Sequence, residues 1–271
     1  MKLIKKVVKA FVVAFSIYSK IPMPRFTWES EDMKYHLCFF PWVGAFIGVT
    51  EWLWYWFASG RGINTLAFVL FALAIPVIIT GGFHLDGFMD TCDALHSYQD
   101  KEKKLEILKD PHIGAFAVIC FALYFLLAGG SISLIYEAAL KDGFEYYKYG
   151  TKVFMICASF YISRALSGFS VVTLPGAKAK GMLQTFSDTA GKRMVRIVLI
   201  MQVVIAAIGM LILSPLTASV ALAADAISFG YYVSMSKKQF GGITGDLAGY
   251  FVSLTELLTV AAMAVMVLAG G

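Results

Sequence analysis

Seven stretches of this chain run for roughly 20 residues with hardly a charge: 37–58, 65–82, 114–136, 152–174, 194–213, 215–235 and 248–269. Such runs leave few folds open. A backbone inside hydrocarbon has no water to bond to, so each run must satisfy its own amides as a helix, and about 20 residues cross a bilayer. The expected fold class is all-α: a polytopic integral membrane helical bundle of about seven transmembrane helices. Only 15% of the residues are charged, against about 25% in soluble proteins. At 271 residues, a single membrane-embedded domain spanning 1–271 is the simplest organisation. Ser214-Pro215 marks a tight hairpin between two of the runs.

Residues 1–24 read differently. Lys2, Lys5, Lys6 and Lys9 are interleaved with Leu3, Ile4, Val7, Val8, Phe11, Phe15 and Tyr18 at helical spacing. That is an amphipathic interfacial helix, lysines toward lipid headgroups, and not the pattern of a cleaved leader. Pro22 and Pro24 end it.

The net charge of +5 suggests a nucleic-acid binder until its placement is considered. The basic residues flank apolar runs and form no aromatic-studded stripe, so no nucleic-acid partner is expected; the partner surface is the lipid bilayer. With seven spans, segments 1–36, 83–113, 175–193 and 236–247 share one side and carry seven, four, four and two basic residues. The other side holds only Arg61, Lys141, Lys148 and Lys152. The first side is therefore expected to be cytoplasmic. Cys38, Cys92, Cys120 and Cys157 have no CxxC spacing and read as small apolar fillers.

The longest polar stretch, 83–113, is an acidic motif segment on that side. In it Asp86, Asp90 and Asp93 stand at i, i+4 and i+7, one face of a helix. Three unpaired carboxylates beside lipid repel one another, and a hard divalent cation such as Mg²⁺ or Mn²⁺ relieves them. A solvated acidic face is the plainer alternative. Gly87 would let a phosphate approach the backbone. His84 is a ligand, a phosphate donor or a base, or else a hydrogen-bonded structural residue. Lys109, Asp110 and His112 lie just before the third span, where they either grip phosphate or merely flank a helix stop at Pro111. Arg164 lies within an apolar run at an insertion cost of roughly 2.5–3.5 kcal/mol, which calls for an anionic ligand or a carboxylate such as Glu256. Glu51 and Asp225 are intramembrane acids without a motif. Lys178 and Lys180 form a phosphate clamp or set topology. Gly241, Gly242, Thr244, Gly245 and Asp246 could shape a backbone anion cradle, or a plain glycine turn. Jointly these pieces suggest a polyphosphate site on the cytoplasmic side.

The same residues carry a family resemblance. Ile21-Pro22-Met23-Pro24, Phe40-Pro41-Trp42-Val43-Gly44 with Gly48, the blocks GGFHLDGFMDTCDAL (81–95), KLEILKDPHIGAF (104–116) and GGITGDLAG (241–249), and Ser163-Arg164-Ala165 follow one order over nearly the whole chain. In this the chain resembles the cobalamin synthase (adenosylcobinamide-GDP ribazoletransferase) family. Three departures stand out: Pro111-His112 where the family usually has Ser-Arg, Ala94 for a glycine, and Ser253 for a glutamate. The resemblance implies a Mg²⁺-dependent phosphotransferase of the prokaryotic plasma membrane (the cell inner membrane), with its active site facing the cytoplasm. It would join adenosylcobinamide-GDP to α-ribazole or α-ribazole 5′-phosphate and release GMP. Asp86, Asp90 and Asp93 would bind metal, one of them or His84 would act as base, and the basic and glycine-rich groups would grip phosphate. A homo-oligomer and cytoplasmic corrinoid-pathway enzymes are the further partners it suggests. A CDP-alcohol phosphotransferase-like enzyme would want Asp-Gly-x-x-Ala-Arg, whereas Met89-Asp90 follow Gly87-Phe88 here. A transporter would show paired broken helices in two related halves, and none is evident.

Overall fold

The computed structural model describes residues 2–29, 31–177 and 182–270; Lys178 and Lys180 lie outside them. The described residues form helices and turns, with no strand beyond a single backbone bridge between Gly176 and Ile243. α1 (Lys2–Tyr18) leads by a short 3-10 turn into α2 (Phe40–Arg61), then α3 (Thr65–Thr80), α4 (Phe83–His96) and the short α5 (Lys101–Ile107). α6 (Ala115–Lys141), α7 (Thr151–Thr173), α8 (Met182–Thr189), α9 (Lys192–Leu213), α10 (Pro215–Met235) and α11 (Gly245–Leu268) complete the chain. Among the described residues six helices are long and apolar enough to cross a membrane, and α3 with its bent continuation α4 makes a seventh. Six of the seven expected runs fall on these six helices, and the run 65–82 falls on α3, which reaches the length of a span only together with α4.

α1 is only half the surface helix its periodicity suggests. Ile4, Val7 and Val8 are exposed, whereas Val13, Ala14, Phe15 and Tyr18 are buried, the last three in a cluster with Leu37, Phe40, Val171 and Leu199. Its second half belongs to the protein core.

α7 is the central post. About 72% of its apolar window is buried, against 17% for α6 and α9, which face outward. α7 is rich in small residues, and α2 meets it through Gly44 and Gly48. A Cβ at either glycine would run into the carbonyl oxygen of Phe160 or Cys157. Where lipid tails are as apolar as the side chains, close backbone approach of this kind holds helices together.

α3 ends at Gly81 and Gly82, whose φ angles of 70° and 78° are left-handed and suit glycine. These two residues turn the chain by 96° into α4. α4 therefore runs nearly perpendicular to α3.

Long-range bonds then gather the basic segments at one end. Lys20 donates its N–H to Ile79 O (2.8 Å), Gly191 to Lys34 O (3.0 Å), Ala177 to Ile243 O (2.9 Å) and Ile243 to Pro175 O (3.0 Å). Lys104 donates from Nζ to Gln239 Oε1 (2.6 Å). The described parts of segments 1–36, 83–113, 175–193 and 236–247 therefore sit together at one end, as the distribution of basic residues predicts. At the other end Tyr136 donates to Ile63 O (3.0 Å) and Lys148 to Asp142 (2.7 Å).

Candidate active site

The site is built where α4 crosses the start of α11, and glycines set the distance. A Cβ at Gly87 would lie 2.7 Å from Asp246 O, and one at Gly249 3.0 Å from His84 O. Gly87 is thus buried beneath α11, which fills the space a phosphate would have needed. Thr244 caps α11, its hydroxyl accepting from Leu247 N at 3.2 Å.

The crossing brings carboxylates together. Asp86 is exposed and Asp90, one turn on, half-buried. The Asp90 carboxyl is pushed up to about 6, first by burial and then by the negative charges of Asp86, Asp246 and Asp93. Asp246 enters this group only through the α4–α11 contact, which no local sequence signal announces.

Asp93 has another task. Its two oxygens accept from Gly114 N (2.7 Å) and Ala117 N (2.9 Å), so it caps α6 from a neighbouring helix. Gly114 has no side chain to cap its own helix, and a Cβ there would collide with the Asp93 carboxylate. Among the described residues no three His, Cys, Asp or Glu side chains are arranged to hold a metal ion. Asp86 and Asp90 nonetheless fit a hard divalent cation by donor type and by charge: both offer only oxygen, and Asp90 lies in an unfavourable negative field.

Asp86 lines an open polar cleft between the end of α1 and the α3–α4 turn, together with Ser16, Ser19, Lys20, Thr80 and Met89. In the sequence Lys20 counts only among the seven basic residues of 1–36. Its one distinguishing signal is isolation, since residues 10–19 before it carry no charge.

His84 does not face this cleft. It is buried, stacks on Phe40 with centroids 5.7 Å apart, and lines two apolar cavities in the body of the bundle. Neither ring nitrogen has a partner among the described residues. In one of those cavities it is joined by Tyr124, Arg164 and Glu256. Arg164, 1% exposed, donates to Glu256 Oε1 at 2.6 Å and to Phe160 O at 2.9 Å. The carboxylate partner, and not a surface anion, is what this arginine meets.

The first half of the glycine-rich turn offers no amides to an anion. Gly241 and Gly242 donate their N–H groups to Ser236 O, and Ile243 donates to Pro175 O. A Cβ at Gly242 would strike the 175–177 backbone at 2.6 Å. The two glycine amides close the end of α10, and that of Ile243 ties the turn to the segment after α7; Gly245 opens α11 itself. Lys109, Asp110 and His112 are exposed on the loop before α6. His112 Nδ1 lies 2.6 Å from Asp110 Oδ1, which also accepts the His112 N–H at 3.0 Å. Those two bonds, the backbone one first, hold the Asp110 carboxyl below its ordinary range.

Residues 10–264 match the family model described as cobalamin-5-phosphate synthase. The chain is 42% identical over 258 residues to an adenosylcobinamide-GDP ribazoletransferase of Lachnoclostridium phytofermentans, covering 95% of this chain and 93% of that protein. It is 32% identical to the protein so named in Clostridium perfringens, covering 92% and 94%. For that of a Geobacillus species the identity is 29%, covering 91% of each. No solved structure matches the chain.

Proposed function

The chain belongs to the cobalamin-5-phosphate synthase family, and from that premise we propose that it is an adenosylcobinamide-GDP ribazoletransferase. It joins adenosylcobinamide-GDP to α-ribazole, or its 5′-phosphate, giving adenosylcobalamin or its 5′-phosphate and GMP. The observation that carries the reading is the family match, which runs from residue 10 to 264 and so takes in both helices of the carboxylate crossing.

In the reaction a ribose hydroxyl oxygen bonds to the phosphorus that bears the cobinamide arm. The bond from that phosphorus to the bridging oxygen breaks, and GMP leaves with the electron pair. Such a displacement depends on positioning and charge neutralisation more than on covalent help. Asp86 and Asp90 would hold Mg²⁺, which would neutralise diphosphate charge when bound. The hydroxyl proton passes to the same carboxylate group, because His84 is enclosed away from the cleft. Lys109 and His112, exposed on the loop before α6, would supply positive charge to phosphate arriving from solution. The concentration of basic residues at this end supports a cytoplasm-facing site in the prokaryotic plasma membrane.

The test is direct. Purified protein in lipid, given Mg²⁺, adenosylcobinamide-GDP and α-ribazole, should release GMP, and Asp86→Asn should abolish release. A folded wild-type protein that yields no GMP overturns the assignment.

A further inference from the structure

Lys20 is the one basic residue among those lining the cleft that contains Asp86. Its surroundings are unlike those of the other N-terminal lysines. Its N–H is fixed on Ile79 O at 2.8 Å. The preceding Ser19 hydroxyl donates to Phe15 O at 2.6 Å and accepts from Ile21 N at 3.3 Å, holding the chain on both sides. The aliphatic part of the Lys20 side chain lies over Gly81, where any Cβ would collide with it. Gly81 therefore serves twice, once by its left-handed φ and once as the trough for this lysine. Lys20 itself is exposed and takes part in no ion pair among the described residues.

A lysine that serves only to orient a membrane protein needs a flexible tether and free solvent. One whose backbone is pinned and whose stem lies over a glycine at a cleft that also holds Asp86 is arranged for a ligand. The cleft has a negative wall at Asp86 and a positive one at Lys20, which is complementary to a metal-bound diphosphate. We propose that Lys20 binds a phosphoryl oxygen of the diphosphate substrate in this cleft. The proposal rests on the reaction assigned above and deepens it. A compact ammonium on a long stem is well suited to the role, since it offers three donors and a full charge.

Kinetics and binding test it separately. Lys20→Met should raise KM for adenosylcobinamide-GDP by about tenfold or more, the loss of one charge-assisted hydrogen bond, with KM for α-ribazole unchanged. Lys20→Arg should recover most of the loss, and Lys237→Met, an exposed lysine at the same end, should behave as wild type. An unchanged KM in Lys20→Met while wild type releases GMP overturns the proposal and leaves the reaction standing. Lipid headgroups offer the same phosphate chemistry, so the assay is run in phosphatidylcholine vesicles with and without phosphatidylglycerol. A Lys20→Met defect confined to the anionic vesicles would make Lys20 a lipid contact and overturn the proposal. Independently of turnover, Mg²⁺ with inorganic pyrophosphate should raise the Tm of wild type and Lys20→Arg but not of Lys20→Met or Lys20→Gln. Equal stabilisation of all four overturns it.

Discussion

Asp93 shares a helix face with Asp86 and Asp90, yet its two oxygens already accept amides from the first turn of another helix. Capping bonds of this kind stabilise by about 0.5–2 kcal/mol. Asp93→Ala should therefore lower unfolding stability by about that much, read as a fall in Tm. Asp86→Asn and Asp90→Asn should abolish GMP release without lowering Tm, and Asp90→Asn should raise it near pH 7.5 in the absence of Mg²⁺ by removing a charge that burial and its neighbours disfavour. A second expectation follows from Asp90, whose carboxyl is raised from 3.8 to about 6. Folding raises its proton affinity, so its contribution to stability is fullest at low pH and is lost as pH rises through 6. A divalent cation competes with that proton. Stabilisation by Mg²⁺ should therefore be large at about pH 7.5 and fade as pH falls through 6, measured as the Tm difference with and without the ion.

At the scale of elements, the contact between α4 and α11 controls the site. Gly87→Ala places a methyl against the Asp246 backbone, an overpacking that costs about 1–3 kcal/mol and separates the carboxylates. Far-UV circular dichroism should be unchanged while GMP release falls at least tenfold. The helices themselves were readable from the chain because hydrocarbon imposes length and apolarity on every span, and the i, i+4 placement of Asp86 and Asp90 is equally local. What escaped was each feature that needs a distant partner. Gly241, Gly242 and Ile243 resemble an anion cradle until Ser236 and Pro175 take their amides. Gly87 looks like room for phosphate until α11 is laid across it. Lys20 is one lysine among several until Ile79 and Gly81 give it a fixed place. Spacing along the chain carries no information about which remote backbone will claim a group.

For the whole molecule, the four lysine-rich segments meet at one end and the segments around Ile63, Tyr136 and Asp142 at the other. In inverted and right-side-out vesicles, single cysteines at Lys109 and Lys237 in a background lacking the native cysteines should react with an impermeant maleimide from the cytoplasmic face alone. One at Lys141 should react only from the opposite face.

The dependence of the carboxylate group on α11 sets the timing of the enzyme's birth. Asp86 and Asp90 leave the ribosome long before α11, the helix that completes the surroundings of Asp90. A chain released before residue 245 lacks the helix that packs on Gly87 and brings Asp246 to Asp90, and it should show no GMP release however many of its earlier spans are in place.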